Sequence, residues 1–450
     1  MDFQVFKSAA AEEAAKLNIE EYELYCQLED SVSASAFKRE INGFSDSGEG
    51  GACLRCLVEG RMGYASTQRF TEDSARALVR RARDNAAVLE TAEPEFLVGA
   101  GGEYQAVRTE NAPLPGAEAL RRTALRGQEA LYSQEGVVDG SETEVFGSHI
   151  AIAISNSKGL DLQYENSVSG AVLSAVVSDG SEEGEKASEY KITLGEPEGL
   201  DLLAAAEETA GRARETLGAG TAPTGVMPVV FSADAMSQLL ATFSPVFSAE
   251  NVQKGLSLLK DREGTEIAAP IVTLIDDPFY EKAPLPMPFD AEGSPTRRKS
   301  VIEKGVLRTL LYNLRTAAAA GKETTGNASK AGYDSKVGVR PFTMCLAPGE
   351  MSREELLEKA GSGVLITSLG GLHAGANPIS GDFSLQSSGF LIEGGKKGAP
   401  VRSFTVAGNF FTLLKNITAV GSDVKTPTSP SFTTFISPSV LAQGLSVAGK

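Results

Sequence analysis

Apolar and polar positions change rhythm twice along this chain. Over Glu72–Leu89, Ala75, Leu78, Val79, Ala82, Ala86 and Leu89 recur at helical spacing, with Thr71 as N-cap and Glu72 and Asp73 at the positive helix end. Residues 3–17 and Leu120–Tyr132 predict further helices, and Glu20–Leu28, Val32–Ile41 and Ala52–Ala65 predict strands. From Glu142 to Leu194 the period drops to two: Ile150, Ile152 and Ile154, then Val168, Val172 and Val176. Asn156–Gly159 and Asp179–Gly184 supply the turns of an antiparallel meander, and a helix follows over Leu200–Leu217.

Gly218–Gly225 is nearly all small residues plus proline, the composition of a linker. It predicts a boundary between an N-terminal domain, 1–220, divisible near residue 110, and a C-terminal domain, 221–450. Met227–Phe231 opens the second half as a strand and is followed by a helix from Ala233 to about Phe243. Strands are predicted at Ile271–Ile275, Ser300–Glu303, Val306–Tyr312, Phe342–Leu346, Val364–Ser368, Ser384–Glu393, Val401–Ala407 and Ser431–Ile436. Helices are predicted at Arg353–Ala360 and Asn409–Ile417. The class is α+β: a mixed N-terminal domain with an antiparallel meander, and a strand-rich C-terminal domain whose antiparallel sheet rolls towards a barrel.

Composition narrows the functional classes. The 450 residues carry a net charge of −17, which opposes direct nucleic-acid binding, where clustered Lys and Arg must displace counterions. No apolar run approaches the ~18 residues of a membrane span, and the acidic, amphipathic first residues do not read as a targeting peptide. A cytoplasmic location is the expectation. Cys53 and Cys56 have metal-like spacing, but on a strand residues three apart face opposite ways, so with Cys26 and Cys345 they read as buried thiols.

Candidate chemistry is sparse. His149 and His373 are the sole histidines, so no local imidazole pair exists for zinc. Asp276-Asp277 at a strand end and Asp290-Ala-Glu292 at a turn could hold a divalent ion through oxygen ligands, or could simply cap turns. The stretch Gly370–Phe383, GGLHAGANPISGDF, has turn clusters at Asn377-Pro378 and Ser380-Gly381-Asp382 and leads straight into a strand. Such a permissive backbone suits close approach by another chain.

Six blocks in register resemble the TldD/PmbA family, once called modulators of DNA gyrase and classed among metallopeptidases. They are Pro228–Phe231, Thr273–Asp277, Phe289–Thr296, Ile302–Gly305, Tyr312–Ala317 with Thr325-Gly326-Asn327, and Asn377–Phe383. The catalytic branch of that family carries His-Glu-x-x-x-His on the helix after the first of these strands, with a zinc-ligating cysteine nearer the C-terminus. Here that region, Ala233–Ala249, contains no histidine, and no cysteine follows Gly408.

The resemblance therefore implies the PmbA (TldE) branch: a subunit without zinc ligands or another cofactor of its own, paired with a TldD-like catalytic subunit that carries the zinc, or with itself. It implies dimers around a proteolytic chamber, flexible peptides as substrates, and neither nucleic acid nor membrane as partner. No catalytic residue carries over. Asn327, Gly371, His373, Asn377, Gly381 and Asp382 are the expected peptide or subunit contacts. Two other readings stand beside this one. One is a homodimeric, non-catalytic peptide-binding protein; the other is an independent hydrolase holding a divalent ion with Asp276, Asp277, Asp290 and Glu292.

Overall fold

The computed structural model describes residues 3–90, 94–181, 184–428 and 430–449. Helix α1 (Phe3–Lys16) leads into three strands, β1 (Glu21–Phe37), β2 (Glu40–Val58) and β3 (Arg61–Thr67). Helices α2 (Glu72–Ala87) and α3 (Ala117–Tyr132) follow, then β4 (Glu142–Asn156), β5 (Asp161–Ser178), β6 (Lys186–Leu194) and α4 (Leu202–Arg214). The six strands form one antiparallel sheet in the order β3-β2-β1-β4-β5-β6. β1 pairs with β4 from Glu23↔Asn156 to Phe37↔Glu142, so the segments before and after residue 110 share a single sheet.

Local rules explain most of these elements. Thr71 caps α2 through a capping box with Ser74, and Ala75, Leu78, Val79, Ala82 and Ala86 face inward as the period predicts. The meander forms over β4–β6 as its alternation dictates. Three strand boundaries differ from the pattern. The strands predicted at Glu20–Leu28 and Val32–Ile41 are one as far as Phe37, because Glu29–Ser31 keep their ladder partners on both sides although they are polar; the chain then turns at Lys38-Arg39, and Glu40 and Ile41 belong to β2. Gly43–Gly51, a stretch with no strand signal, joins β2 by pairing with β1. Conversely, Ala52–Ala65 divides at Glu59-Gly60, which take φ of 51° and 76° and close a hairpin.

α1 and α2 cover the start of the sheet through Phe6, Leu24, Leu54 and Leu78; α3 and α4 cover the remainder through Leu120, Leu131, Val145 and Leu173. The opposite face turns its Tyr25, Ile150, Ile152 and Tyr164 towards Leu285, Met287, Phe289 and Phe342 of the second half. The two halves therefore share an apolar core.

The second half begins with β7 (Gly225–Phe231), α5 (Ala233–Phe243) and the short α6 (Ala249–Gln253). β8 (Leu274–Asp276), β9 (Lys299–Glu303), β10 (Val306–Leu307), α7 (Leu314–Ala319), β11 (Ala328–Ser329), β12 (Gly338–Val339) and β13 (Thr343–Leu346) follow. The chain continues through α8 (Arg353–Ala360), β14 (Gly363–Gly370), α9 (Leu372–Gly375), β15 (Asp382–Glu393), β16 (Lys396–Asn409) and α10 (Phe410–Lys415). It ends with β17 (Ile417–Val420), β18 (Thr434–Ile436) and β19 (Val440–Ala448).

The sequence β16-β15-β14-β7-β19 closes on itself through β16–β19 pairing, giving a five-stranded barrel with one parallel seam, β7–β14. Along β7, Val229 and Phe231 enter the main core beside α5, while Val230 meets Leu356 and Leu357 of α8. A second sheet, β10-β9-β8-β13-β18, stands next to the barrel and ends in the edge strand β18. The strand predicted over Val306–Tyr312 is confined to Val306-Leu307, and β19, which no pattern announced, supplies the stave that closes the barrel.

Candidate functional site

Three cavities lie around the β11–β12 hairpin, and a buried polar network fixes that hairpin. Asp276, at the end of β8, accepts from Lys299 Nζ at 2.9 Å and Asn327 Nδ2 at 2.7 Å on Oδ2, and from the Phe342 amide at 2.8 Å on Oδ1. Asn327 Oδ1 accepts from Lys299 Nζ at 2.9 Å and Thr325 Oγ1 at 2.7 Å. Its Nδ2 also donates to the Arg340 carbonyl at 3.0 Å, and the Arg340 amide returns a bond to the Asn327 carbonyl at 3.1 Å. With 0% exposure and its amide engaged on both ends, Asn327 is not a direct peptide or subunit contact. It ties the two ends of the hairpin together instead.

The Asp290–Gly293 turn is equally occupied. Asp290 accepts from the amides of Glu292 at 3.0 Å, Ser294 at 2.9 Å and Ala328 at 2.9 Å. Glu292 Oε2 accepts from the Leu314 amide at the start of α7, 2.9 Å away. Its Oε1 lies 3.4 Å from Arg55 Nη1, which comes from β2 of the N-terminal sheet. Arg55 also donates from Nε to Glu23 Oε1 at 2.8 Å, and Glu95 Oε2 lies 3.8 Å from its Nη1. One guanidinium thus serves several acids in a place with almost no water. Burial raises the carboxyls of Asp290 and Glu292 above the usual carboxylate range, because desolvation outweighs the amide bonds and the Arg55 charge.

The acids that suggested a divalent-ion site do not converge. Asp276 and Asp290 spend their oxygens on protein donors, and Asp277 pairs with Arg298 at 3.2 Å and accepts from the Phe279 amide at 3.0 Å. Among the described residues no three His, Cys, Asp or Glu side chains are grouped so as to hold a metal.

The first cavity, of about 410 Å³, opens at the C-terminal end of α5, and its lining includes Ala241, Ser244 and Pro245 together with Phe435 of the edge strand β18 and Thr433 just before it. Its lining contains neither histidine nor cysteine, and its one carboxylate, Glu250, is paired with Lys254 at 2.7 Å and Arg315 at 3.0 Å. That donor set does not suit zinc. The second, a cleft of about 280 Å³, runs between the N-terminal sheet and the β11–β12 hairpin, with Tyr25, Ile150, Phe289 and Phe342 among its walls. Arg340, Pro341 and Thr433 line both. A third hollow, about 460 Å³, shares Glu250 with the first and has the buried Glu292 and Asn313 in its lining. The first cavity thus shares lining residues with each of the other two.

The Gly370–Phe383 stretch stands elsewhere, on the rim of the barrel. Asn377 Oδ1 accepts from the Ile379 amide at 2.9 Å, and the Asn377 amide donates to the Asp382 carbonyl at 2.8 Å. Asn409, the N-cap of α10, donates from Nδ2 to the Ser380 carbonyl and to Asp382 Oδ1, both at 2.9 Å. That bond and one from Ser380 hold the Asp382 carboxyl below its usual range. Gly371 and Gly381 take φ of 71° and 83°, and a Cβ on Gly381 would come 2.6 Å from Phe411 Cδ2. Gly381 is buried beneath that ring, whereas Gly371, His373, Asn377 and Asp382 are exposed. No cavity described above is lined by any of these residues.

Comparison with known proteins decides the family. Residues 224–449 match the family model described as the PmbA/TldA metallopeptidase C-terminal domain, residues 111–217 the central domain, and residues 22–86 domain 1. The chain belongs to the PmbA/TldD metallopeptidase family. This PmbA/TldD-family chain is 26% identical over 402 residues to the metalloprotease PmbA homologue of Haemophilus influenzae, covering 88% of this chain and 86% of that one. To the metalloprotease PmbA of Escherichia coli O157:H7 it is 29% identical over 314 residues, covering 69% and 66%. Among solved structures, a Thermotoga maritima protein assigned as a candidate modulator of a DNA gyrase superposes with a TM-score of 0.89 at 32% identity, covering 99% and 100% of the two chains. TldE from Thermococcus kodakarensis shares the fold, with a TM-score of 0.82 at 23% identity and coverage of 98% and 100%.

The residues that join the halves of this PmbA/TldD-family fold were not all visible in sequence. Arg55 sits in an apolar strand, and a lone charge there was the available signal. Lys330 and Arg340, which line the cleft, had none. Among the described residues no helix is long and apolar enough to cross a membrane, and the four cysteines are free and buried.

Proposed function

We propose that this chain is the PmbA/TldE-type subunit of a cytoplasmic metallopeptidase, contributing peptide contacts and half of a dimeric shell while a TldD-like partner carries the zinc. The observation that carries this reading is the end of α5. A family whose catalytic members place His-Glu-x-x-x-His on this helix here presents Ala241, Ser244 and Pro245 to an open cavity of about 410 Å³. That cavity's lining offers no histidine or cysteine to a metal, which supports the reading. An edge strand beside an open cavity suits extended peptides, which can be gripped through their backbones without reading their side chains. The exposed part of Gly370–Asp382, centred on His373 and Asn377, is proposed as a rim contact with the partner or with substrate.

Co-expression with a zinc-bearing homologue tests the proposal. The expected result is a stable hetero-complex that hydrolyses casein or unstructured peptides, with zinc counted once per pair. Stoichiometric zinc on this chain alone, or a homodimer that excludes the homologue, would overturn it.

A further inference from the structure

The 280 Å³ cleft between the two halves combines apolar walls with two cations that make no ion pair among the described residues, Lys330 and Arg340. This is unusual company in a chain with a net charge of −17. Of the two acids that line the cleft, neither forms an ion pair with these cations. Asp290 is filled by three backbone amides, and Glu29 accepts from Ser148 Oγ at 3.0 Å.

Both cations are held on a rigid base. Lys330 follows β11 inside the β11–β12 hairpin and Arg340 follows β12; Ala328 pairs with Val339 and Ser329 with Gly338, and the Asn327–Arg340 bonds close the open end. Lys330 Nζ rests 5.0 Å from the centre of the Tyr25 ring, and Glu23 and Asp334 act on it from beyond ion-pair distance. Burial pulls its pKa below the ordinary lysine value, so the ammonium lacks solvation that an anion would restore. Around them stand Tyr25, Ile150, Met287, Phe289, Phe342 and Phe432, a surface for an aliphatic or aromatic side chain.

We propose that this cleft binds a peptide carboxylate adjoining an apolar residue, with Lys330 and Arg340 taking the carboxylate and the aromatic walls taking the side chain. The volume is just below the usual range of small-ligand pockets, about 300–1,000 Å³, which suits one end or one short segment of a chain rather than a folded domain. Charge-assisted hydrogen bonds from a lysine and an arginine supply selectivity that backbone pairing at an edge strand cannot. The carboxylate comes either from a free C-terminus or from an acidic side chain. The assignment rests on the reading of the chain as a peptide-contacting subunit and narrows its substrate class.

The test uses the full chain and N-terminally fluorescein-labelled hexapeptides ending in Leu-Phe: the free acid, the C-terminal amide, and an amide with glutamate before the Leu-Phe pair. In fluorescence anisotropy the free acid is expected to bind at least about tenfold more tightly than the plain amide. Lys330→Gln and Arg340→Gln each shrink that preference, the double variant removes it, and Lys330→Arg retains it, all with unchanged thermal midpoints. A glutamate amide that matches the free acid identifies the side-chain source, and one that does not identifies the terminus; either supports the site. Equal binding of acid and plain amide, or a preference that survives in the double variant, overturns the carboxylate site and leaves the peptide reading standing. If no peptide binds, even beside a zinc-bearing partner, both fall together.

Discussion

Arg55 on the N-terminal sheet and Glu292 in the C-terminal half meet at 3.4 Å across 237 positions of sequence, and both are buried. The pair is not an isolated salt bridge. Glu23 takes the same guanidinium at 2.8 Å while its Oε2 finds no hydrogen-bond partner among the described residues. Such clusters join surfaces at the cost of desolvation, and removing the cation is far worse than removing one of several acids.

Arg55→Met is therefore expected to destabilise the chain by about 3–5 kcal/mol, since it leaves Glu23 and Glu292 facing each other without compensation. Urea unfolding of the purified variant measures this. A loss below about 1 kcal/mol would show that the guanidinium is replaceable.

The pH dependence has a definite sign. Asp290 and Glu292 have folded-state pKa values above those of the unfolded chain, so the folded state binds more protons between the two. Stability contributed by these groups is then fully present below the ordinary carboxylate pKa of about 4 and is lost as pH rises towards the raised values. Glu292→Gln, which imitates the protonated acid, should flatten this slope on the alkaline side and cost little at pH 8. Chemical denaturation in a series of buffers reads both slopes, and parallel curves for the two proteins would refute the assignment.

Asn327→Ala removes the link between Asp276, Lys299, Thr325 and the Arg340 carbonyl. Leaving buried polar groups unsatisfied costs about 1–3 kcal/mol each, so a loss of at least about 2 kcal/mol is expected. Because the side chain has no exposed surface, the effect on peptide affinity should follow from loosening of the hairpin. Faster amide exchange over residues 328–340 would accompany it.

At the barrel rim, Gly381→Val forces a β-branched residue into a left-handed backbone and against Phe411, a combination of strain and overlap costing on the order of 2 kcal/mol or more. Asn377→Ala loses the turn bonds alone and should cost less. If this rim meets the partner, His373→Ala should weaken the hetero-complex without shifting the thermal midpoint of the free chain. Light scattering of mixed subunits would reveal it.

Blocking the cavity beside α5 separates shape from assembly. Ala241→Phe projects a ring into the 410 Å³ space, so peptide turnover by the hetero-complex should fall at least tenfold while the subunits still associate. Undiminished hydrolysis would place the substrate path elsewhere.

Where sequence patterns and structure agree, a local rule is strong. Helices α5 and α8 occupy the predicted spans because Ser232 and Ser352 cap them and apolar residues recur on one side. Where they part, a tertiary partner overrides composition. Glu29–Ser31 and Gly43–Gly51 are polar or glycine-rich, yet they extend because a neighbouring strand satisfies their backbones. The acids at 276, 290 and 292 were legible as turn acids, but nothing linear announces that Arg55 lies beside one of them. The cleft cations were illegible for the same reason: Lys330 becomes notable only once Tyr25 and Phe342 surround it.

The β1–β4 ladder has a consequence for synthesis. β1 ends at Phe37, and β4, its partner on one side, is complete only at Asn156. At ribosomal rates of about 5–20 residues per second, that edge emerges on the order of ten seconds before its neighbour exists. During that interval a long strand with unsatisfied backbone groups is a template for any passing chain. The nascent polypeptide is thus most in need of a chaperone while its first hundred residues are already outside the ribosome, and a fragment ending near residue 110 would stay in that exposed state permanently.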